Sequence, residues 1–317
     1  MINKIPSKGS LYKIIFKKTF SKYNHKPLSN ELVINYLSIL SDGTIITIQS
    51  ASLYQWEDLS MTTIINKHKE ILDIKNLVEI PNSKSELIGF STRNNLNIFS
   101  LKGCNHLQIF DQHEWEIRTI VPFSNNKIAS GSNDHTIKVF DYITGEYLIN
   151  FQAHSWGVNK IIKINEEYKL ASCSIDGIIN VWDLDKEECL REISDDAGFN
   201  DIIESNDNKI ISVSDNESIK IWDWTIPQCL YTIKTQISEL IFWIGYGTFA
   251  TFSDGILEIW DYENKDKILT FENRGQIIKD ISLINYTSID RLTTLSRIYT
   301  FWIGEGIVFE AQNSLMN

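Results

Sequence analysis

Three residues that could do nucleophilic chemistry stand in one stretch of this chain: His154, Ser172 and Asp176. In a hydrolase the imidazole would take the serine proton and the carboxylate would orient the imidazole, but such a triad is recognised by an exposed nucleophile and by roles, not by residue types. The same positions recur here in partial form, as His113, Ser130 and Asp134 before them and as Ser212 after them. Recurrence with decay is the behaviour of a structural brace, so we read these residues as structural. There is no G-x-S-x-G, H-E-x-x-H, G-x-x-x-x-G-K-[ST] or EF-hand loop. The acidic pairs Glu187-Glu188 and Asp195-Asp196 read as solvated loops, and the six histidines do not cluster. The residues therefore predict no catalytic group, no metal and no cofactor.

The elements that must position this brace are legible around it. Ser172–Asp183, SCSIDGIINVWD, reads as two strands joined by a turn at Asp176-Gly177, because Asp-Gly between apolar β-branched runs supplies the positive φ that tight hairpins need. Ser172 and Trp182 are equidistant from Gly177, which predicts that they face each other across the hairpin. Before it, Val158–Lys163 reads as a first strand, and after it Glu188–Ile193 reads as a fourth. The inner strands are almost continuously apolar, as in sheets buried on both faces, whereas the fourth carries the charge that suits an edge.

The hairpin recurs as SGSNDHTIKVFD (Ser130–Asp141), SVSDNESIKIWD (Ser212–Asp223) and FSDGILEIWD (Phe252–Asp261). Anchoring each copy on the aromatic that ends its third strand gives Trp56, Phe99, Phe140, Trp182, Trp222, Trp260 and Trp302, at intervals of 38 to 43 residues. A period of about 40–45 residues is that of four-stranded blades. Seven anchors predict an all-β, seven-bladed β-propeller of four-stranded antiparallel blades. Two segments compete for the outer strand that closes the last blade: Leu11–Phe20 from the N-terminus and Ile307–Ala311 from the C-terminus. The N-terminal one is favoured, because it is long and is followed by His25 as other fourth strands are followed by His68, His113 and His154. The expected organisation is an N-terminal segment over 1–30 lending that strand to one propeller over 31–317.

Bulk properties narrow the function class. The formal net charge is −11, which argues against a phosphate backbone as the main ligand. The one basic stretch, the N-terminal thirty residues, reads as a solvated edge. No apolar run approaches the roughly 20 residues of a membrane span, and the N-terminus lacks a secretory pattern. Cys104, Cys173, Cys189 and Cys229 form no C-x-x-C pair and read as reduced thiols, which places the chain in the cytoplasm, with the nucleus also open.

The pairs Trp182-Asp183, Trp222-Asp223 and Trp260-Asp261, with Phe140-Asp141 as a variant, make the sequence resemble the WD-repeat β-propeller family. The resemblance covers about Val33 to Trp302 and is strongest over Phe110–Asp261. In that family a His before the first strand, a Ser on the second, an Asp in the turn and the Trp form a buried hydrogen-bonded tetrad. The matching residues are His154, Ser172, Asp176 and Trp182. The third repeat has Phe140 where the indole would be, the fifth lacks the His, and the sixth has Ala250 where the Ser would stand.

The resemblance implies protein binding on the face bearing the hairpin turns and the start of each first strand. Contact positions carried across are Glu116 and Arg118, Gly157 and Asn159, and the pre-turn residues Asn133, Ile175, Asp215 and Ser253. Aligned first strands add Asn35, Lys75, Asn200, Ser238 and Lys279. Trp115 and Trp156 each stand two residues after a lead-in histidine. They could be a pair of aromatic anchors, since Trp and Arg are enriched in binding hot spots, or they could fold over the sheet edge and pack locally. The reading is a non-catalytic interaction scaffold, monomeric by itself, that takes a peptide or loop of a protein partner. A substrate receptor of a ubiquitin ligase is an alternative, lowered by the absence of Trp-Asp-x-Arg, whose fourth position here is Asp185, Thr225 or Glu263. An enzyme with a site in a central channel is a further one.

Overall fold

The computed structural model describes residues 13–17, 34–42, 44–49, 52–56, 64–69, 74–81, 83, 86–123, 126–164, 168–205, 207–235, 239–245, 247–253, 256–272, 281–286, 297–303 and 307–313. Among them every regular element is a strand, and no helix is long and apolar enough to cross a membrane. The chain divides into two units, one of Met1–Ile39, Gly43–Lys67 and Gln276–Asn317, the other of Leu40–Asp42 and His68–Gly275.

Strands are numbered in chain order. The first is β1 (Lys13–Lys17), followed by β2 (Ile34–Ile39), β3 (Ile45–Gln49), β4 (Ser52–Trp56) and β5 (Ile64–Lys69); the last four form one sheet in the order β2-β3-β4-β5.

The larger unit carries five successive four-stranded antiparallel sheets, each in simple meander order. They are β6 (Ile74–Glu79) to β9 (Asn105–Phe110), with β7 (Leu87–Thr92) and β8 (Asn95–Ser100) between; then β10 (Ile117–Pro122), β11 (Lys127–Ser132), β12 (Thr136–Asp141) and β13 (Tyr147–Gln152). The third comprises β14 (Val158–Lys163), β15 (Lys169–Ser174), β16 (Ile178–Asp183) and β17 (Glu188–Ser194). The fourth comprises β18 (Phe199–Glu204), β19 (Ile210–Ser214), β20 (Ser218–Asp223) and β21 (Gln228–Lys234), and the fifth β22 (Leu240–Gly245), β23 (Thr248–Ser253), β24 (Ile256–Asp261) and β25 (Lys267–Glu272). Successive four-stranded antiparallel sheets of this kind fit a β-propeller.

Burial follows the apolar pattern. All of β19 is buried, as are the four central residues of β7 and β8, while β13, β17 and β21 alternate or lie open. In the larger unit the core sits between successive sheets. One cluster joins Ala129, Ile137, Val139 and Phe151 to Val158, Ile161, Leu170 and Trp182 of the next sheet. Another joins Ala171, Ile179 and Val181 to Phe199, Ile202 and Trp222.

The chain ends with β26 (Ile281–Tyr286), β27 (Arg297–Ile303) and β28 (Ile307–Asn313), in a sheet of order β1-β28-β27-β26. β1 lies antiparallel to β28, with Ile15 opposite Glu310. The two segments that compete for the outer position on sequence grounds are thus both strands of this sheet, with β28 inside β1. Trp302, expected to end a third strand, lies on β27, which pairs directly with β26 and so is the second strand of this sheet among the described residues; residues 291–296 lie outside them.

Candidate interaction face

The brace is built on a hairpin whose turn is three residues, Ile175-Asp176-Gly177. Gly177 has φ +77° and a Cβ there would lie 2.5 Å from the carbonyl oxygen of Asp195, so both backbone conformation and space call for glycine. Centring the turn on Asp176 changes the expected register. Ser172 opposes Asn180, and Trp182 opposes Leu170. Ser172 and Trp182 are therefore diagonal neighbours, not directly facing, and the long indole reaches across the diagonal. Its Nε1–H donates to Ser172 Oγ at 2.9 Å. Ser172 Oγ also lies 2.8 Å from His154 Nε2, and His154 Nδ1 lies 3.1 Å from Asp176 Oδ2. Ser172 is fully buried and shares its hydroxyl between an imidazole and an indole. No substrate could reach that oxygen, so the three residue types do not form a nucleophilic site.

The carboxylate does more than hold the histidine. Asp176 Oδ2 accepts the backbone N–H of Ser155 at 2.9 Å, and Oδ1 accepts that of Ile178 at 3.0 Å. Asp134 repeats this in the preceding sheet: it lies 2.7 Å from His113 Nδ1, accepts the N–H of Glu114 at 3.0 Å, and takes the Thr136 hydroxyl at 2.6 Å. His113 Nε2 lies 2.7 Å from Ser130 Oγ, and Phe140 packs where the indole would stand. Ser155 and Glu114 immediately precede Trp156 and Trp115. Each brace therefore pins the lead-in loop that carries a tryptophan.

Burial would raise both carboxyls. The hydrogen bonds and charge of His154, with the N–H groups of Ser155 and Ile178, outweigh it and hold Asp176 below its ordinary range; His113, Thr136 and Glu114 do the same for Asp134. A carboxyl depressed in the folded state contributes stability that is present above its unfolded pKa, about 3.9, and is lost as pH falls through the folded value. Asp176→Ala should therefore cost about 1–3 kcal/mol at neutral pH by removing a buried acceptor. The gap between variant and wild type should narrow below about pH 4, as urea unfolding at neutral and acid pH would show. An unchanged neutral-pH midpoint would mean that the carboxylate carries no such role.

The later repeats keep less of the brace. Trp222 Nε1 donates to Ser212 Oγ at 2.8 Å without a histidine. In the sixth repeat the acceptor is Thr251 Oγ1, 2.9 Å from Trp260 Nε1, and not the position of Ala250. The reason is a register one residue shorter: Ser253 opposes Ile256, so counting back from the Trp by the fourth repeat's spacing overshoots by one. The turn aspartate of this repeat, Asp254, lies outside the described residues.

The contact positions have a common backbone cause. The register shifts between Ile74 and Asn76, Ile117 and Thr119, Val158 and Lys160, and Phe199 and Asp201. Lys75, Arg118, Asn159 and Asn200 are thus the extra residue of a β-bulge at the start of four successive first strands. Bulges re-aim a side chain out of the ladder. Arg118, Asn159 and Asn200 converge with Glu116, Asn76, Ile117, Ile175, Asp215, Glu217 and Glu239 on one concave basin of about 700 Å³. Arg118 is not a free arm, since its guanidinium donates to Asn159 Oδ1, and Asn159 Nδ2 donates to the Phe199 carbonyl at 2.7 Å. That chain spans three sheets.

Trp115 and Trp156 are 66% and 63% exposed and Ile175 is 52% exposed, so neither indole folds down onto its sheet. Asn133 is half-buried, with its side-chain oxygen where a Cβ on Gly157 would stand. Lys75 has its backbone on β6, while Lys279 and Ser238 lie outside the described residues. Sequence alignment missed Glu239. Asp201 Oδ2 accepts the N–H of Ile241 just as Thr119 Oγ1 accepts that of Ile161, which makes Glu239, not Ser238, the counterpart of Asn159. The alternating strand LIFWIG, read one residue later, would have found it. Asn76 and Glu217 had no sequence signal beyond their proximity to a bulge and a turn.

Comparison with known proteins gives a concordant result. The family described as WD domain, G-beta repeat matches residues 104–141 and 145–183. The chain is 25% identical over 109 residues to myosin heavy chain kinase C of Dictyostelium discoideum, covering 34% of this chain and 14% of that protein. It is 33% identical over 115 residues to the nuclear distribution protein nudF of Aspergillus niger (34% and 26%). It is 24% identical over 155 residues to the small ribosomal subunit protein RACK1y of Oryza sativa (44% and 46%). The matched segments thus span less than half the length of each of these relatives.

Proposed function

The chain belongs to the WD-repeat family, and from that premise we propose that it is a non-catalytic scaffold or adaptor that binds a peptide or loop of a protein partner on the face carrying Trp115 and Trp156. Repeats of this family generally mediate protein interactions. The observation that carries the reading is the pair of exposed indoles held beside a 700 Å³ basin by loops whose backbone is pinned to Asp134 and Asp176. An exposed large aromatic costs little conformational entropy to immobilise when its loop is already ordered, which is the condition for an effective anchor.

The proposal includes a seven-bladed ring in which the segment over 1–30 supplies the outer strand of the last blade and 31–317 the propeller, supported by the antiparallel pairing of β1 with β28. It also includes a reducing compartment, cytoplasm or nucleus, where Cys104, Cys173, Cys189 and Cys229 stand as free thiols.

The test is affinity purification of the full chain, followed by hydrogen exchange on the reconstituted pair. Added protection is expected over 114–119 and 155–159 and at the turns near Ile175 and Asp215. Protection confined to the outer strands β9, β13, β17 and β21 would place the partner on the rim and overturn the reading.

A further inference from the structure

The chemistry of the basin says which kind of segment it receives. Its lining sets four carboxylates, Glu116, Asp215, Glu217 and Glu239, against one guanidinium, Arg118, which already donates to Asn159. Asp215, Glu217 and Glu239 are exposed and come from the turn after β19 and the approach to β22. No hydrogen bond or ion pair among the described residues engages their side-chain oxygens. A concavity walled by protein focuses the field of such groups, and the protein's charge of −11 does not oppose it. The walls add Asn76, Asn159 and Asn200, whose amides fix orientation but carry no charge. Apolar surface stands at the same place: Ile175 lines the basin, Trp115 directly precedes Glu116, and Trp156 lies three residues before Asn159.

We propose that the basin receives a lysine or arginine side chain of an extended partner segment, whose neighbouring apolar side chains rest on Trp156, Ile175 and Trp115. The inference rests on the docking face proposed above and adds the charge of what docks there. Complementarity excludes the opposite class. An acidic or phosphorylated segment would bring like charge against the carboxylates of Asp215, Glu217 and Glu239, and like-charge juxtaposition at an interface costs several kcal/mol. The cation enters a basin lined by Asp215, Glu217 and Glu239. The indoles offer it a further attraction through their faces and offer aliphatic neighbours a dry surface. A short segment fits the size of the basin, which lies within the range of clefts that enclose a few side chains.

The experiment uses the full-length protein and four pools of immobilised peptides with randomised flanks and a fixed central residue: Arg, Lys, Gln or Glu. Retention is expected in the order Arg and Lys, then Gln, then Glu, with about tenfold between Arg and Gln at low salt and less at high salt. Retained flanks should be enriched in Leu, Ile and aromatic residues. Glu217→Gln and Glu239→Gln combined with Asp215→Asn, all exposed positions, should bring the Arg-to-Gln ratio close to one. Trp156→Ala should lower retention of the Arg and Lys pools while leaving that ratio above one. Equal retention of the Arg and Gln pools, still dependent on Trp156, would overturn the inference and leave the docking face standing. An Arg preference that survives the triple variant would overturn it too, since the attraction would then come from elsewhere on an acidic surface. Absence of retention from every pool would likewise overturn it, and the hydrogen-exchange result with the natural partner would then decide the docking face separately.

Discussion

Trp182→Ala is expected to destabilise the protein by about 3–5 kcal/mol, the range for removing a large buried aromatic. Trp182 is 6% exposed, stacks on Phe151 with ring centroids 4.5 Å apart, and belongs to the core shared by two successive sheets. Its removal leaves a cavity where β16 meets β13 and takes away the indole donor to Ser172. Trp182→Phe separates the two losses. The third repeat already runs on a phenylalanine: Phe140 is fully buried against Phe110, and the His113–Ser130–Asp134 chain keeps 2.7 Å contacts beside it. Ser172 would still have His154, so the phenylalanine variant should lose only about 1 kcal/mol, the net worth of one hydrogen bond. Urea unfolding of the three proteins tests this. If the alanine and phenylalanine variants unfold at the same denaturant concentration, packing of this residue does not hold the two sheets together.

The second large effect concerns binding. Trp115→Ala combined with Trp156→Ala should lower affinity for the partner recovered by purification about a thousandfold, taking about 2 kcal/mol for each hot-spot aromatic. Stability should stay within about 0.5 kcal/mol of wild type, because both side chains stand in solvent. The pairing of these outcomes is what discriminates. The indoles are 66% and 63% exposed, whereas the groups that hold their loops, Asp134 and Asp176, are buried with their histidines. Substituting Asp176 should therefore weaken both stability and binding, while substituting the indoles should weaken binding alone. Titration calorimetry of the double variant against the purified partner, with unfolding measured on the same sample, gives both numbers. Retained affinity would move the interaction to another surface.

Arg118 illustrates how a side chain's role changes once its neighbours are known. As an exposed arginine beside two tryptophans it reads as a contact residue. In the structure it donates to Asn159, and Asn159 reaches the carbonyl of Phe199. These partners lie about one repeat apart in sequence, so no local pattern connects them. The arginine is held within the lining of the basin, alongside the exposed carboxylates of Asp215, Glu217 and Glu239.

The features legible in the residues alone lie within a repeat. The apolar runs place the strands β14 to β17 within a residue or two of their observed bounds, because continuous burial on both faces leaves a direct mark on residue type. The resemblance to the WD-repeat family named His154, Ser172, Asp176 and Trp182, the four residues that the structure finds in hydrogen-bonding reach. Short-range geometry of a hairpin is set by turn chemistry, which is written in a few adjacent residues.

Relations between strands and between repeats emerged from the three-dimensional packing. It set the register that makes Ser172 and Trp182 diagonal neighbours, and it replaced Ala250 by Thr251 and Ser238 by Glu239 through differences of one residue in loop length. It also gathered Glu116, Arg118, Asn159, Asn200, Glu217 and Glu239 from four first strands and their turns into one basin. The physical reason is the same in each case. Sheet-to-sheet contacts depend on how buried faces stack and where each ladder bulges, and a single inserted or missing residue shifts those relations without altering the apolar pattern that announces the strands.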